Sequence, residues 1–219
     1  TVEPGVVNAA LNRLLAPHGV FYAPDPSSEA ACTIGGNIAE NSGGPHCLKY
    51  GVTLNHVLSA TVILPSGEII ELGDRDGGMA GYDLLGAFVG SEGCFGVALD
   101  ITVRLTQKPA AVRTALADFT DVADAARATS AIIASGVLPA ALEFMDSGVI
   151  RVVEESIFAA GYPADAAAVL LIELDGTVES TDADMEQVRA LCTGCGARTV
   201  RVATNEAERA RLWQGRKKA

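Results

Sequence analysis

The chain has 219 residues, 49% of them hydrophobic, with 16 Lys and Arg against 27 Asp and Glu, for a formal charge of −11. That length and apolar content suffice for one large or two small packed domains. The acidic balance repels nucleic-acid phosphates and anionic lipid alike and argues against nucleic acid as a partner.

No apolar run approaches the roughly 18 residues that cross a bilayer, and the start lacks a basic-then-apolar leader. No transmembrane segment is expected, and the chain reads as cytoplasmic. Cysteines at 32, 47, 94, 192 and 195 are odd in number and come without a secretory leader, so reduced thiols are expected rather than a disulfide framework. The chain opens at Thr1 and stops at Ala219 within a helical pattern, and reads as an internal piece of a longer protein.

Val6, Ala9, Ala10 and Leu14 recur at helical spacing until Pro17, His18 and Gly19 end the pattern. From Phe21 to Gly51 the chain is crowded with Gly, Pro, Ser and Asn and reads as a long ordered loop or a broken helix, a feature usually tied to function in compact domains. Val57 to Leu64 and Glu68 to Leu72 are β-prone runs around Pro65-Ser66-Gly67 and predict a hairpin. Val97, Leu99, Ile101, Val103 and Leu105 alternate with Ala98, Asp100, Thr102 and Arg104, which predicts a half-buried strand beside that hairpin.

Past Lys108-Pro109 the pattern changes to short strands alternating with Ala-rich helices. Strands are expected at 113–118, 140–145, 168–174 and 198–202, and helices at 122–135, 147–159, 181–191 and 206–218. The fold class is therefore α+β, in two parts: residues 1–109, and a second module at 110–219 with ferredoxin-like mixed or antiparallel pairing.

Two glycine clusters carry the chemistry. In the run from Ala31 to Gly44, the pairs Gly35-Gly36 and Gly43-Gly44 remove side chains where a flat or anionic ligand can approach the backbone. It is not a Walker loop, because no Gly-Lys-Ser or Gly-Lys-Thr follows, nor a Rossmann fingerprint, because no strand leads into it. Gly90-Ser91-Glu92-Gly93-Cys94-Phe95-Gly96 sits just before the alternating strand, with Glu92 placed to accept a ligand hydrogen bond. The competing reading is a set of turns that hold no ligand.

Several strings, in order and spacing, closely resemble FAD-linked oxidases of the vanillyl-alcohol-oxidase superfamily, which bind flavin in a PCMH-type domain. In the first part they are Ala23 to Ser28, Cys32 to Gly51, Gly81-Tyr82-Asp83-Leu84-Leu85 and Gly90 to Gly96. In the second they are Gly161-Tyr162-Pro163, Glu173-Leu174-Asp175-Gly176, Glu206-Ala207-Glu208-Arg209 and Trp213-Gln214-Gly215-Arg216-Lys217.

The resemblance implies that residues 1–109 are the second half of an FAD-binding domain and 110–219 the beginning of a substrate-facing cap. It implies flavin contact at Pro24, Asp25, Gly35, Gly36, Asn37, Ser42, Gly43, Gly51, Glu92, Gly93, Gly96 and Val97. Cys32 matches a position near the flavin ring that is covalently attached in some distant relatives; here it is read as a buried neutral thiol. Arg216 matches a cap-domain arginine that binds a substrate carboxylate, a role suited to a planar bidentate donor, although a helix-end arginine complementing the macrodipole is the alternative.

The implied reaction is oxidation of a short 2-hydroxy acid, glycolate or D-lactate, by hydride transfer to FAD. The implied partner is an iron–sulfur or second flavoprotein subunit, with peripheral placement at the inner face of the membrane. The catalytic base and the ligands of a divalent metal are expected outside this chain, which alone is expected to be inactive. The rival is a non-catalytic α/β binding or subunit-assembly module. Cys192-Thr193-Gly194-Cys195 has metal spacing but no second pair and is read as structural. His18, His46 and His56 are too scattered to name a metal site, and Glu154, Glu155, Asp182, Asp184 and Glu186 read as solvated helical charges.

Overall fold

The computed structural model describes residues 1–74 and 81–218. The chain forms two compact units, Thr1–Lys108 and Pro109–Ala219, each with its own core.

In the first unit, α1 (Asn8–Leu15) ends as expected at a short 3-10 turn, Ala16–His18, closed by Gly19 at φ 69°. β1 (Val20–Phe21) follows. The segment read as a long ordered loop or a broken helix contains two short helices, α2 (Ile34–Glu40) and α3 (Cys47–Tyr50). Thr33 caps α2 by accepting from the Gly36 N–H at 3.2 Å, and Asn41 ends it in the left-handed region at φ 50°.

The hairpin forms as β2 (Val57–Ile63) and β3 (Ile69–Gly73). α4 (Leu84–Phe88) starts at Asp83, whose carboxylate accepts from the Gly86 N–H at 2.7 Å. β4 (Val97–Val103) pairs antiparallel with β2, giving the order β3-β2-β4, and β5 (Thr106–Gln107) pairs with β1.

β4 is half-buried as expected, but its alternation is interrupted. Val97, Leu99 and Leu105 are exposed, whereas Ala98 and Ile101 are buried. The register jumps from Thr61↔Asp100 to Val62↔Ala98, so Leu99 is a bulge and the inward face changes parity there. Tyr22, Ile34, Ile38, Val62 and Ile101 form the buried centre of this unit.

His56 lies buried beside Tyr22 and hydrogen-bonds through Nε2 to the Tyr50 carbonyl at 2.7 Å, leaving Nδ1 without a partner. Desolvation holds its pKa below the ordinary 6.5, outweighing the bond to Tyr50. A histidine with a depressed native pKa contributes stability that is full above its unfolded value and is lost as pH falls through the folded one. The urea midpoint followed by far-UV circular dichroism should therefore fall between roughly pH 7.5 and 5. His56→Gln should flatten that slope, and an unchanged slope would assign the titration elsewhere.

In the second unit, β6 (Ala111–Phe119) leads to α5 (Val122–Ala134), then β7 (Ala141–Asp146) and α6 (Ser147–Glu154). β8 (Ala168–Gly176), α7 (Val178–Gly194), β9 (Thr199–Val202) and α8 (Glu206–Lys218) complete it. All pairings are antiparallel in the order β7-β8-β6-β9, the ferredoxin-like arrangement.

One face of this sheet packs on α5 and α7 through Phe119, Leu170, Ile172, Ile132 and Val188. The other packs on α6 and α8 through Leu116, Leu171, Ile150, Leu212 and Trp213. Burial on both faces explains why β8 reads as a nearly continuous apolar run.

α6 stops at Glu154 instead of continuing to 159. The Glu154 carboxylate accepts from the N–H groups of Ala160, Gly161 and Tyr162, each at 2.9 Å, and folds the chain back, leaving Ile157 exposed. α7 begins three residues earlier than expected, because Thr177 caps it by accepting from the Ser180 N–H. Among the described residues, no helix is long and apolar enough to cross a membrane.

Candidate functional site

Helix α2 is unusual in carrying Gly35 and Gly36, which weaken a helix by up to about 1 kcal/mol each relative to alanine. Packing explains the first. The Gly35 N–H donates to the Pro4 carbonyl at 2.9 Å, and a Cβ on Gly35 would lie 2.6 Å from Pro4 Cβ. Gly36 has no such neighbour: a Cβ there would meet only Thr33 Oγ1, at an ordinary 3.5 Å.

The second glycine cluster docks on the C-terminal end of the same helix. Gly90 N–H donates to the Ile38 carbonyl at 2.8 Å and Glu92 N–H to the Ala39 carbonyl at 2.9 Å. Gly90 and Gly93 take positive φ, and Glu92 does so too, at 52°, which costs a non-glycine residue about 1 kcal/mol or more. Gly96 approaches the hairpin so closely that a Cβ would sit 2.7 Å from the Ile63 carbonyl oxygen.

The two glycine clusters thereby share one open, mainly apolar cleft of about 360 Å³. Of the residues singled out from sequence, Gly35, Gly36, Gly93, Gly96 and Val97 line it. Sequence reasoning missed Pro4, Phe88 and Ser91. Ser91 Oγ is buried at the cleft without a hydrogen-bond partner, a donor and acceptor available to a ligand. For Ser91 the signal was present, since it lies inside the second glycine cluster.

The remaining flavin-contact expectations do not line this cleft. Asp25 Oδ2 lies 2.6 Å from His46 Nδ1, and its Oδ1 accepts from the His46 N–H at 3.4 Å. A Cβ on Gly44 would fall 2.4 Å from the Asp25 carbonyl oxygen, so that glycine is required by the protein's own packing. Gly43 is closed off by Cys47 Sγ, and Gly51, at φ 83°, by Asn55. Pro24 gives its carbonyl to Asn8 Nδ2 at 3.0 Å, and Ser42 gives its own to Thr53 Oγ1 at 2.8 Å. Asn37 is fully buried, with both side-chain polar atoms unpartnered. Cys32 is a free cysteine and only partly buried, less enclosed than expected.

In the second unit, Arg216 on α8 donates from Nε to Glu143 Oε2 at 2.5 Å. Cys192 is buried, and desolvation, with Cys195 nearby, pushes its thiol up to about 12; Cys195 is part-buried, and both are free. Among the described residues, no three His, Cys, Asp or Glu side chains converge as metal ligands.

Comparison with known proteins places these features in context. Residues 108–219 match the model for the C-terminal domain of FAD linked oxidases, and residues 1–73 match that for an FAD binding domain. The chain is 49% identical over 218 residues to "Glycolate oxidase subunit GlcD" of Escherichia coli strain K12, covering all of this chain and 44% of the relative. It is 44% identical to the subunit of the same name from Bacillus subtilis, again over the whole chain and 47% of the relative. To "D-lactate dehydrogenase" of Anaerostipes hadrus it is 32% identical, over 97% of this chain and 46% of that protein. The chain thus spans about half the length of these relatives. A solved structure of alkyldihydroxyacetonephosphate synthase superposes with a TM-score of 0.81 at 21% identity, over 98% of this chain and 41% of that one, a likeness of fold.

Proposed function

The chain belongs to the FAD-linked oxidases, and on that premise we propose that it forms the centre of a flavoenzyme oxidising a short 2-hydroxy acid, glycolate or D-lactate. The observation that carries the proposal is the convergence of two glycine clusters, distant in sequence, on one cleft that also holds the unpartnered Ser91 hydroxyl. Relatives named for glycolate and D-lactate oxidation supply the substrate class.

Bound FAD supplies the hydride acceptor. Gly35, Gly36, Gly93 and Gly96 would let its surface reach the backbone, Val97 would flank it, and Ser91 would offer it a hydrogen bond. Pro24, Asp25, Asn37, Ser42, Gly43 and Gly51 would supply further contact to parts of FAD beyond this cleft, and Glu92 is held beside the cleft by its N–H bond to Ala39. In the second unit, Arg216 binds the substrate carboxylate through its guanidinium edge. The proton acceptor for the substrate hydroxyl and the ligands of a divalent metal would come from outside this chain. Electrons pass on to an iron–sulfur or second flavoprotein subunit, with the complex at the inner face of the membrane.

The test uses the full-length protein, purified and made anaerobic. Absorption bands near roughly 370 and 450 nm should bleach on addition of either glycolate or D-lactate, and the acid that bleaches them is the substrate. A protein that stays colourless after incubation with FAD would favour the rival non-catalytic assembly module.

A further inference from the structure

Helix α8 is fixed on the sheet by contacts that set its rotation. Leu212 and Trp213 bury against β8 and its neighbours, and Trp213 Nε1 donates to Glu173 Oε2 at 2.5 Å. Tyr162 Oη donates to the Leu212 carbonyl at 2.5 Å. Gly215 lies so close to the segment before β8 that a Cβ would fall 2.7 Å from Ala160 Cβ. Arg216 follows Trp213 by three residues and therefore shares its helical face.

On the sheet, Glu143 pairs with Leu171, and Ala141 with Glu173, so both glutamates occupy the face that α8 covers. Two carboxylates from neighbouring strands thus engage α8, Glu173 through Trp213 and Arg209 and Glu143 through Arg216. Glu143 takes only the Nε of Arg216. Among the described residues, no other hydrogen bond engages that guanidinium, so both Nη groups keep their donors, and the side chain is one-third exposed against 16% for Glu143.

We propose that Glu143 is a positioning residue that holds the Arg216 guanidinium by its Nε and directs its two Nη groups outward as a preformed clamp for a substrate carboxylate. The proposal rests on the reading of Arg216 as the substrate-binding arginine. A free arginine has many rotamers to lose on binding. One anchored at Nε has its planar fork already aimed. Monodentate use of Nε is what permits this, since a carboxylate bound to both Nη groups would block the edge that the substrate needs.

The experiment measures steady-state kinetics of the full-length enzyme with glycolate and D-lactate for Glu143→Ala, Glu143→Gln, Glu143→Asp and, as a control, Arg216→Ala. Glu143→Ala should raise KM by about 10- to 100-fold with a smaller change in kcat and an unchanged flavin spectrum. Glu143→Gln, whose amide oxygen still accepts from Nε, should recover most of the loss. Should Glu143→Ala fail to fold, Glu143→Asp carries the test, because it keeps the charge but withdraws the acceptor by one carbon and should also raise KM.

A KM at the wild-type value in the Ala and Asp variants, with Arg216→Ala impaired, would overturn the positioning role alone. A lowered KM would overturn it by showing that Glu143 competes with substrate. A wild-type KM in Arg216→Ala would remove the substrate-binding reading of that arginine, and the proposal with it.

Discussion

Gly36→Phe should abolish flavin retention while leaving the fold intact. Gly36 lines the cleft, and a Cβ there meets only Thr33 Oγ1 at an ordinary distance, so a large side chain fits sterically at its root and fills the space the cofactor needs. Replacing a helical glycine also removes a small propensity penalty, so unfolding should be no easier than in the wild type. The loss should be about 3 kcal/mol or more, over roughly 100-fold in the Kd for FAD, read by titrating the flavin-free full-length protein with FAD. Gly35→Ala is the contrasting control. Its Cβ collides with Pro4, 2.6 Å away, so it should lower the urea midpoint as well as flavin affinity. Wild-type flavin affinity in Gly36→Phe would remove the cleft from consideration as the cofactor site.

Glu173→Ala should cost the second unit about 3–5 kcal/mol. The Glu173 carboxylate is 5% exposed and accepts from Thr114 Oγ1 at 2.6 Å and Trp213 Nε1 at 2.5 Å, with Arg209 Nη1 at 3.7 Å. Truncation removes the acceptor of the Trp213 indole N–H and of the buried Thr114 hydroxyl and opens a void between β8 and α8. Trp213 is the only tryptophan in the chain, so its fluorescence reports unfolding of this unit directly. Glu173→Gln keeps an acceptor and should lose less than half as much. A loss in Glu173→Ala below about 1 kcal/mol, the net worth of an ordinary hydrogen bond, would mean that the carboxylate does not hold α8.

Glu173 also marks a boundary of what could be read without coordinates. It stood out only as part of a family-like string, because nothing in Glu173-Leu174-Asp175-Gly176 says that its partners lie on β6 and α8, 59 and 40 residues away. Strand and helix order in the second unit was legible because the apolar run of β8 and the alternation of short strands with Ala-rich helices are local signals, whereas the Thr177 cap that starts α7 early was not read. The early end of α6 was not, since it depends on one Glu154 oxygen gathering three amides from the following turn.

In the first unit, the alternation of Val97 to Leu105 gave the half-buried strand with Ile101 in the core, but not the change of face at Leu99, because that bulge arises from pairing with β2. The glycine clusters were legible as a ligand-binding feature. Their convergence was not, as it rests on backbone bonds from Gly90 and Glu92 to the end of α2. Asp25, Gly43, Gly44 and Gly51 are also engaged within the protein, by His46, Cys47, Asp25 and Asn55, a packing that the sequence does not show.

The most direct test of the account is the location of FAD in a crystal structure of the full-length protein with the cofactor bound. The account predicts flavin density in the cleft against Gly35, Gly36, Gly93 and Gly96, with Ser91 Oγ within hydrogen-bonding distance of it. Density for FAD elsewhere on the chain, with this cleft filled only by water, would contradict it.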